Sequence, residues 1–162
     1  MSETPGGWSA YSDAVLRIEA PSGVIWVRPA PISLVSGQYP DPDGRAICVI
    51  TAHNPGGRLA SGPDNAAAQV QLLAKLKEQG LTVWPAAGGD PSWTHVEDSA
   101  AVIGMDEAEA IALGAQFGQE AIFVLTPAER QVVGCAQRRI VATGWSIEPE
   151  ADVPGATGAS RA

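Results

Sequence analysis

Ile47-Cys48-Val49-Ile50-Thr51-Ala52 is a run of apolar and β-branched residues that ends abruptly at His53-Asn54-Pro55-Gly56-Gly57-Arg58. A near-continuous apolar run of this length reads as a strand covered on both faces, which places it centrally in a sheet. The segment after it is turn chemistry: proline fixes one backbone angle, glycines permit positive φ, and asparagine tolerates the left-handed region. A buried strand that ends this way delivers Thr51, His53 and Asn54 to one edge of the sheet.

The segments around this strand follow from local signals. Ala14 to Glu19 alternates, Pro21-Ser22-Gly23 is a turn, and Val24-Ile25-Trp26-Val27 is β-branched and aromatic, so residues 14–27 read as a β-hairpin. Ser61-Gly62-Pro63-Asp64 is a helix start, with Ser61 as cap and Asp64 beside the free amides, and Gly80 closes the helix over 62–79. Val70, Leu73, Ala74 and Leu76 form its expected apolar stripe. Leu81 to Pro85 and Trp93 to Gly104 read as strands. Asp106 and Glu109 form an expected capping box for a second helix ending at Gly118, with Ala108, Ile111, Ala112 and Ala115 as its apolar stripe. Gln119 to Thr126 and Gln131 to Cys135 are further strands, and Ile140 to Trp145 extends the last or adds another.

From residue 46 the order is β-α-β-β-α-β. This predicts an α+β, two-layer, ferredoxin-like core with an added N-terminal hairpin and a C-terminal strand or hairpin. In this reading the first and third core strands are parallel neighbours, the fourth is antiparallel to the first, and both helices cover one face. A different two-layer α+β arrangement, with the hairpin extending the sheet, is the alternative. The domain spans 8–147, flanked by disordered tails at 1–7 and 148–162.

The 162 residues suit one domain with its own core, about 70% of the unfolded surface being buried at this size. The net charge of −8 and the lack of a basic patch argue against nucleic acid as a partner. No apolar run approaches the length of a membrane span, and the N-terminus lacks the pattern of a secretory signal. With only Cys48 and Cys135, each inside an apolar run, the thiols read as free and buried, and the location as cytoplasmic.

The predicted topology brings distant polar residues together. Thr51 and Asn54 end the first core strand, Asn65 begins the first helix, and Gln119 begins the fourth core strand at the same edge. With Arg58 they make a candidate site for a small polar or anionic ligand, because an arginine beside a helix N-terminus suits a phosphate or carboxylate. The same Asn-Pro-Gly-Gly stretch is also plain turn chemistry, with no Walker or Rossmann pattern in the chain.

Strand alternation puts Trp93, His95, Glu97 and Ser99 on one face, where His95 and Glu97 are candidates for an acid/base pair if that face lines a cleft; facing solvent it is an ordinary polar surface. No carboxylate or cysteine stands at ligand spacing with either histidine, so no metal and no cofactor is expected. No Gly-x-Ser-x-Gly elbow is present.

Thr51-Ala52-His53-Asn54-Pro55, Arg58, the helix bearing Asn65, then Trp93, Glu97 and Ser99, and Phe117-Gly118-Gln119-Glu120-Ala121 together resemble the bacterial proteins grouped as domain of unknown function 3293, over about residues 10 to 136. In that family the first stretch often reads Thr-Ala-Trp-Asn-Pro, and His53 replaces its aromatic residue, which argues against a catalytic role there. The resemblance implies a small cytosolic protein without an assigned activity.

The sequence therefore supports a domain that binds a small polar or anionic molecule through Thr51, Asn54, Arg58, Asn65 and Gln119. One alternative is a small enzyme with Glu97 or His95 as general base. Another is an interaction or regulatory module acting through exposed sheet edges, as in a homodimer.

Overall fold

A computed structural model describes residues 7–152. The chain opens with α1 (Gly7–Asp13), followed by the expected hairpin, β1 (Val15–Ala20) and β2 (Gly23–Ala30), and a short β3 (Val35–Ser36). The apolar run is β4 (Ile47–Thr51), and α2 (Gly62–Glu78) follows. Next come β5 (Thr82–Gly89), β6 (Val96–Ile103), α3 (Glu107–Gln116), β7 (Ala121–Leu125), β8 (Arg130–Gly134) and β9 (Ile140–Pro149). The α2 boundaries have their expected causes. Ser61 Oγ accepts from the Asp64 amide at 3.1 Å, and Gly80 turns the chain out at φ 70°. Asp106 does precede α3, but its side chain makes no capping hydrogen bond, so the expected capping box does not form.

The two-layer ferredoxin-like sheet does not form either. The strands make one closed ring in the order β2-β1-β5-β6-β4-β7-β8-β9, and β9 pairs back to β2 from Gly144 opposite Ala30 to Pro149 opposite Ile25. All eight are antiparallel to their ring neighbours, and β3 lies parallel against β9 as a ninth strand. β4 and β6 are neighbours as expected but antiparallel, with Ile47 opposite Ile103 and Thr51 opposite Ser99. The reason for the difference lies outside the βαββαβ stretch. The hairpin and the C-terminal strand, read as additions to an open sheet, pair with each other, and the sheet curls into a barrel without free ends. β9 also runs to Pro149 and a 3-10 turn to Asp152, so 148–152 belong to the fold rather than to a tail; residues 1–6 and 153–162 lie outside the described residues.

Closure creates an inside and an outside, and β4 is buried on both. Ile47 and Val49 join Leu16, Val27, Leu125 and Trp145 within the barrel, while Cys48 and Ile50 face Leu72 and Leu76 of α2 and Leu113 of α3 on the outer wall. Curvature also shifts the buried faces of the helices away from the expected stripes. A convex wall meets a helix along a line, so α2 buries only Leu72 and Leu76 fully, leaving Val70 66% and Leu73 41% exposed. On α3 the buried residues are Ala110, Leu113 and Gly114, one step round from the expected stripe.

α1 covers the end of the barrel where β1, β6 and β7 begin. Trp8 and Tyr11 pack against Ala121, Val132 and Phe123. The fully buried Arg130, opposite Leu125, donates to the α1-end carbonyls of Tyr11 at 2.9 Å and Ala14 at 2.8 Å and lies 5.0 Å from the Phe123 ring. Burial pulls its pKa down to about 10, with Asp13 opposing.

The β2–β9 seam admits no side chain at Gly144, where a Cβ would run into the backbone oxygens of Leu34 and Pro31. Gly144→Ala is expected to lower unfolding free energy by about 2–4 kcal/mol in urea denaturation. Gly62→Ala, with nothing within 4 Å, serves as the near-neutral comparison.

Candidate functional site

The C-terminal end of β4 lies beside the start of β6 and of β7, because β4 is antiparallel to both. Thr51 Oγ1 donates to the Asp98 carbonyl at 2.8 Å and accepts from the His53 amide at 3.1 Å, so the strand end is tied to β6 as it turns. Asn54 then takes the left-handed conformation, φ 49° and ψ 59°, one of the few side chains that tolerates it. A 3-10 turn over Pro55–Gly57 follows.

Asn54 is the hub of the polar cluster. Its amide N–H donates to Asn65 Oδ1 at 2.8 Å, and its Oδ1 accepts from Asn65 Nδ2 at 3.0 Å and from the Ala60 amide at 2.9 Å. Its Nδ2 donates to Glu97 Oε2 at 2.6 Å. Three elements thus meet at one residue: the β4 turn, the first turn of α2 and the start of β6. Gln119, buried, donates through Nε2 to the His53 carbonyl at 2.9 Å and so pins the far side of the same turn. Gly118 makes this approach feasible: at φ 72° its carbonyl accepts from Gly56 at 2.7 Å, and a Cβ there would stand 2.8 Å from the Pro55 Cβ.

Thr51, Asn54, Asn65 and Gln119 therefore converge on one turn. Arg58 does not join them: it is exposed, and among the described residues its side chain makes no hydrogen bond or ion pair. Much of the cluster's hydrogen-bonding capacity is spent within the cluster. Glu97 is different. It stands on the barrel's inner face, in phase with Ser99 and Ala101, and its carboxylate's one hydrogen bond among the described residues comes from Asn54. Burial raises its pKa above the ordinary 4.5, while the Asn54 hydrogen bond and the charge of His53 oppose the rise. His53 itself carries a buried Nε2 with no partner among the described residues.

Among the described residues His95 and Glu97, candidates for an acid/base pair had their face lined a cleft, make no bond to each other. β6 begins at Val96, so the strand is shorter than Trp93–Gly104. Asp90 organises the preceding loop by accepting from the amides of Thr94 at 2.7 Å and His95 at 2.8 Å, Trp93 sits at φ 56°, and His95 is exposed. Tyr11 was not anticipated in the site. It reaches the same barrel end from α1, and its phenol is pushed up to about 12 by burial and by the nearby carboxylates of Glu120 and Glu97. The spacing of Trp8 and Tyr11, three apart on one helical face, is the signal that marks α1 in the sequence. Among the described residues no group of three His, Cys, Asp or Glu side chains is placed to hold a metal ion, and no helix is long and apolar enough to cross a membrane.

No curated protein and no solved structure matches this chain. Residues 50–122 match the family described as "Protein of unknown function (DUF3293)". The matched stretch runs from the end of β4 to the start of β7 and contains Thr51, Asn54, Asn65, Glu97 and Gln119, while α1, β1, β2, β8 and β9 lie outside it. Over that stretch, which holds the whole polar cluster except Tyr11, the chain resembles a family whose members carry no assigned activity.

Proposed function

We propose that the chain binds a small polar molecule at the α1-covered end of the barrel, and that Glu97 is the group that meets it. The observation that carries this reading is a half-buried carboxylate on the inner face, oriented by one 2.6 Å bond from Asn54 and otherwise without a protein donor among the described residues. A carboxylate can accept several hydrogen bonds, so Glu97 retains capacity that the turn does not use. The preferred ligand is a hydrogen-bond donor such as an amine, amidine or amide. The anionic alternative loses support because Arg58, its intended counter-ion, is exposed away from the cluster's bonds. Thr51, Asn65 and Gln119 act one step back, holding Asn54 and the turn. A homodimer through sheet edges has less to build on, since the ring pairs each of its eight strands on both sides and leaves β3 as the added edge.

A second reading, acid/base catalysis by Glu97, is favoured by the same upward pKa shift, which moves a carboxyl toward neutral pH.

The shift has a stability consequence. A carboxyl whose folded pKa is raised above 4.5 stabilises the fold fully below that value and loses the contribution as pH rises through the folded pKa. Glu97→Gln retains an acceptor for Asn54 without the charge. It is expected to melt at a higher temperature than wild type at about pH 7, with the gap closing as pH falls below 4.5; an equal gap at both would contradict the account.

Binding is tested with guanidinium as the probe and acetate as its anionic counterpart. Guanidinium is expected to shift the side-chain amide resonances of Asn54 in labelled wild-type protein, and acetate is not. In Glu97→Gln the guanidinium affinity should fall by about tenfold. Equal response in the two proteins would remove Glu97 from the site.

A further inference from the structure

Outside the barrel wall lies an open cavity of about 650 Å³, separate from the Asn54 cluster. It arises where β1 leaves β5: the two pair only from Ala86 to Gly89, so the outer face of Val83 and Pro85 is bordered by α2 on one side and by Arg17 and Glu19 of β1 on the other. Its volume is in the range of small-molecule sites.

The polarity of the cavity runs along α2. Gln69, Leu73 and Lys77 all line it, and their i, i+4, i+8 spacing sets them on one helical face over about 12 Å. At one end, Gln69 Nε2 donates to the Ser99 carbonyl at 3.3 Å, which leaves Oε1 buried without a partner among the described residues. A buried acceptor without a donor is costly, and a turn of the amide toward the cavity would let a ligand donor satisfy it. Asp98, itself already engaged, adds negative charge at this end. The middle is apolar: Leu73, Leu81, Val83, Pro85 and Ala87. At the other end Lys77 presents an ammonium in the last turn of α2. Arg17, level with Asp98 in the strand register, is charge-paired with Glu150 at 2.7 Å, whereas Lys77 makes no ion pair among the described residues.

We propose that this cavity is a second binding site, for an extended molecule with a donor head on Gln69, an aliphatic middle over Leu73, Val83 and Pro85, and a carboxylate on Lys77. An ω-amino carboxylate of about eight carbons has this length and polarity. The site works from the outer wall, so it stands or falls independently of Glu97.

The probe is 8-aminooctanoate, titrated calorimetrically into the full chain, with octanoate and octylamine as ligands that each lack one end. Wild type is expected to prefer 8-aminooctanoate over either by about tenfold. Lys77→Met, a change at an exposed position, should erase the preference over octylamine while keeping that over octanoate. Gln69→Leu should do the reverse, and Glu97→Gln should change neither. Should Gln69→Leu fail to fold, Leu73→Asp tests the middle and should abolish binding of all three. No heat with 8-aminooctanoate at millimolar concentration, or a Lys77→Met protein with the wild-type preferences, overturns the proposal.

Discussion

The six-pair seam between β2 and β9, from Ala30 opposite Gly144 to Ile25 opposite Pro149, is the contact on which the other features depend. Without it the sheet has two edges and two open faces. With it, alternation along every strand acquires one meaning: odd residues of β4 fill the interior and even ones meet the helices. The barrel also gains ends, and α1 packs against the one where β4 stops, leaving Asn54 and Glu97 there half-buried. Arg130 shows how strict this enclosure is. A guanidinium with no exposed surface is held because its Nη groups donate to the carbonyls at the end of α1, although its Nε has no partner among the described residues.

At that covered end a single asparagine carries an unusual share of the organisation. Asn54 occupies a left-handed position that most side chains avoid, and it does so with its own N–H and both ends of its amide engaged. The network is fully used on the turn and helix side, which makes it rigid, and under-used on the Glu97 side. A carboxylate whose charged form is disfavoured by burial weakens the fold at neutral pH. Groups kept at such a cost mark the places where function competes with stability.

Local signals in the chain were strong enough to place most elements. Ser61, Pro63 and Gly80 delimit α2 almost to the residue, and the apolar run at 47–52 is indeed the strand buried on both sides. The architecture was hidden because ring closure is a long-range event: nothing near Ile25 or Trp145 announces that their strands will meet, since either would read the same in an open sheet. The same blindness displaced the helical stripes, because Val70 and Leu73 are apolar at helical spacing whether the surface beneath is flat or convex. The convergence of Asn54, Asn65 and Gln119 was legible because it needs only that β7 run antiparallel to β4, which holds in both architectures. Arg58 suits an anion only if it points to the start of α2, and sequence distance does not say which way a side chain leaves a turn.

β6 connects the two proposed sites in a way that follows from strand geometry. Successive side chains point to opposite faces, so Glu97 looks into the barrel end and Asp98 looks out to the α2 cavity. The backbone between them is held from both sides: Thr51 bonds the Asp98 carbonyl, and Gln69 bonds the Ser99 carbonyl. Asn65 and Gln69 are one turn apart on α2, and each reaches a different end of this arrangement. A displacement of α2 by about 1 Å along its axis would therefore strain the Asn54–Asn65 contact and the Gln69–Ser99 contact together, because hydrogen bonds lose their geometry over that distance. The face of α2 that lines the outer cavity, Gln69, Leu73 and Lys77, thus belongs to the same helix whose first turn holds Asn54 through Asn65.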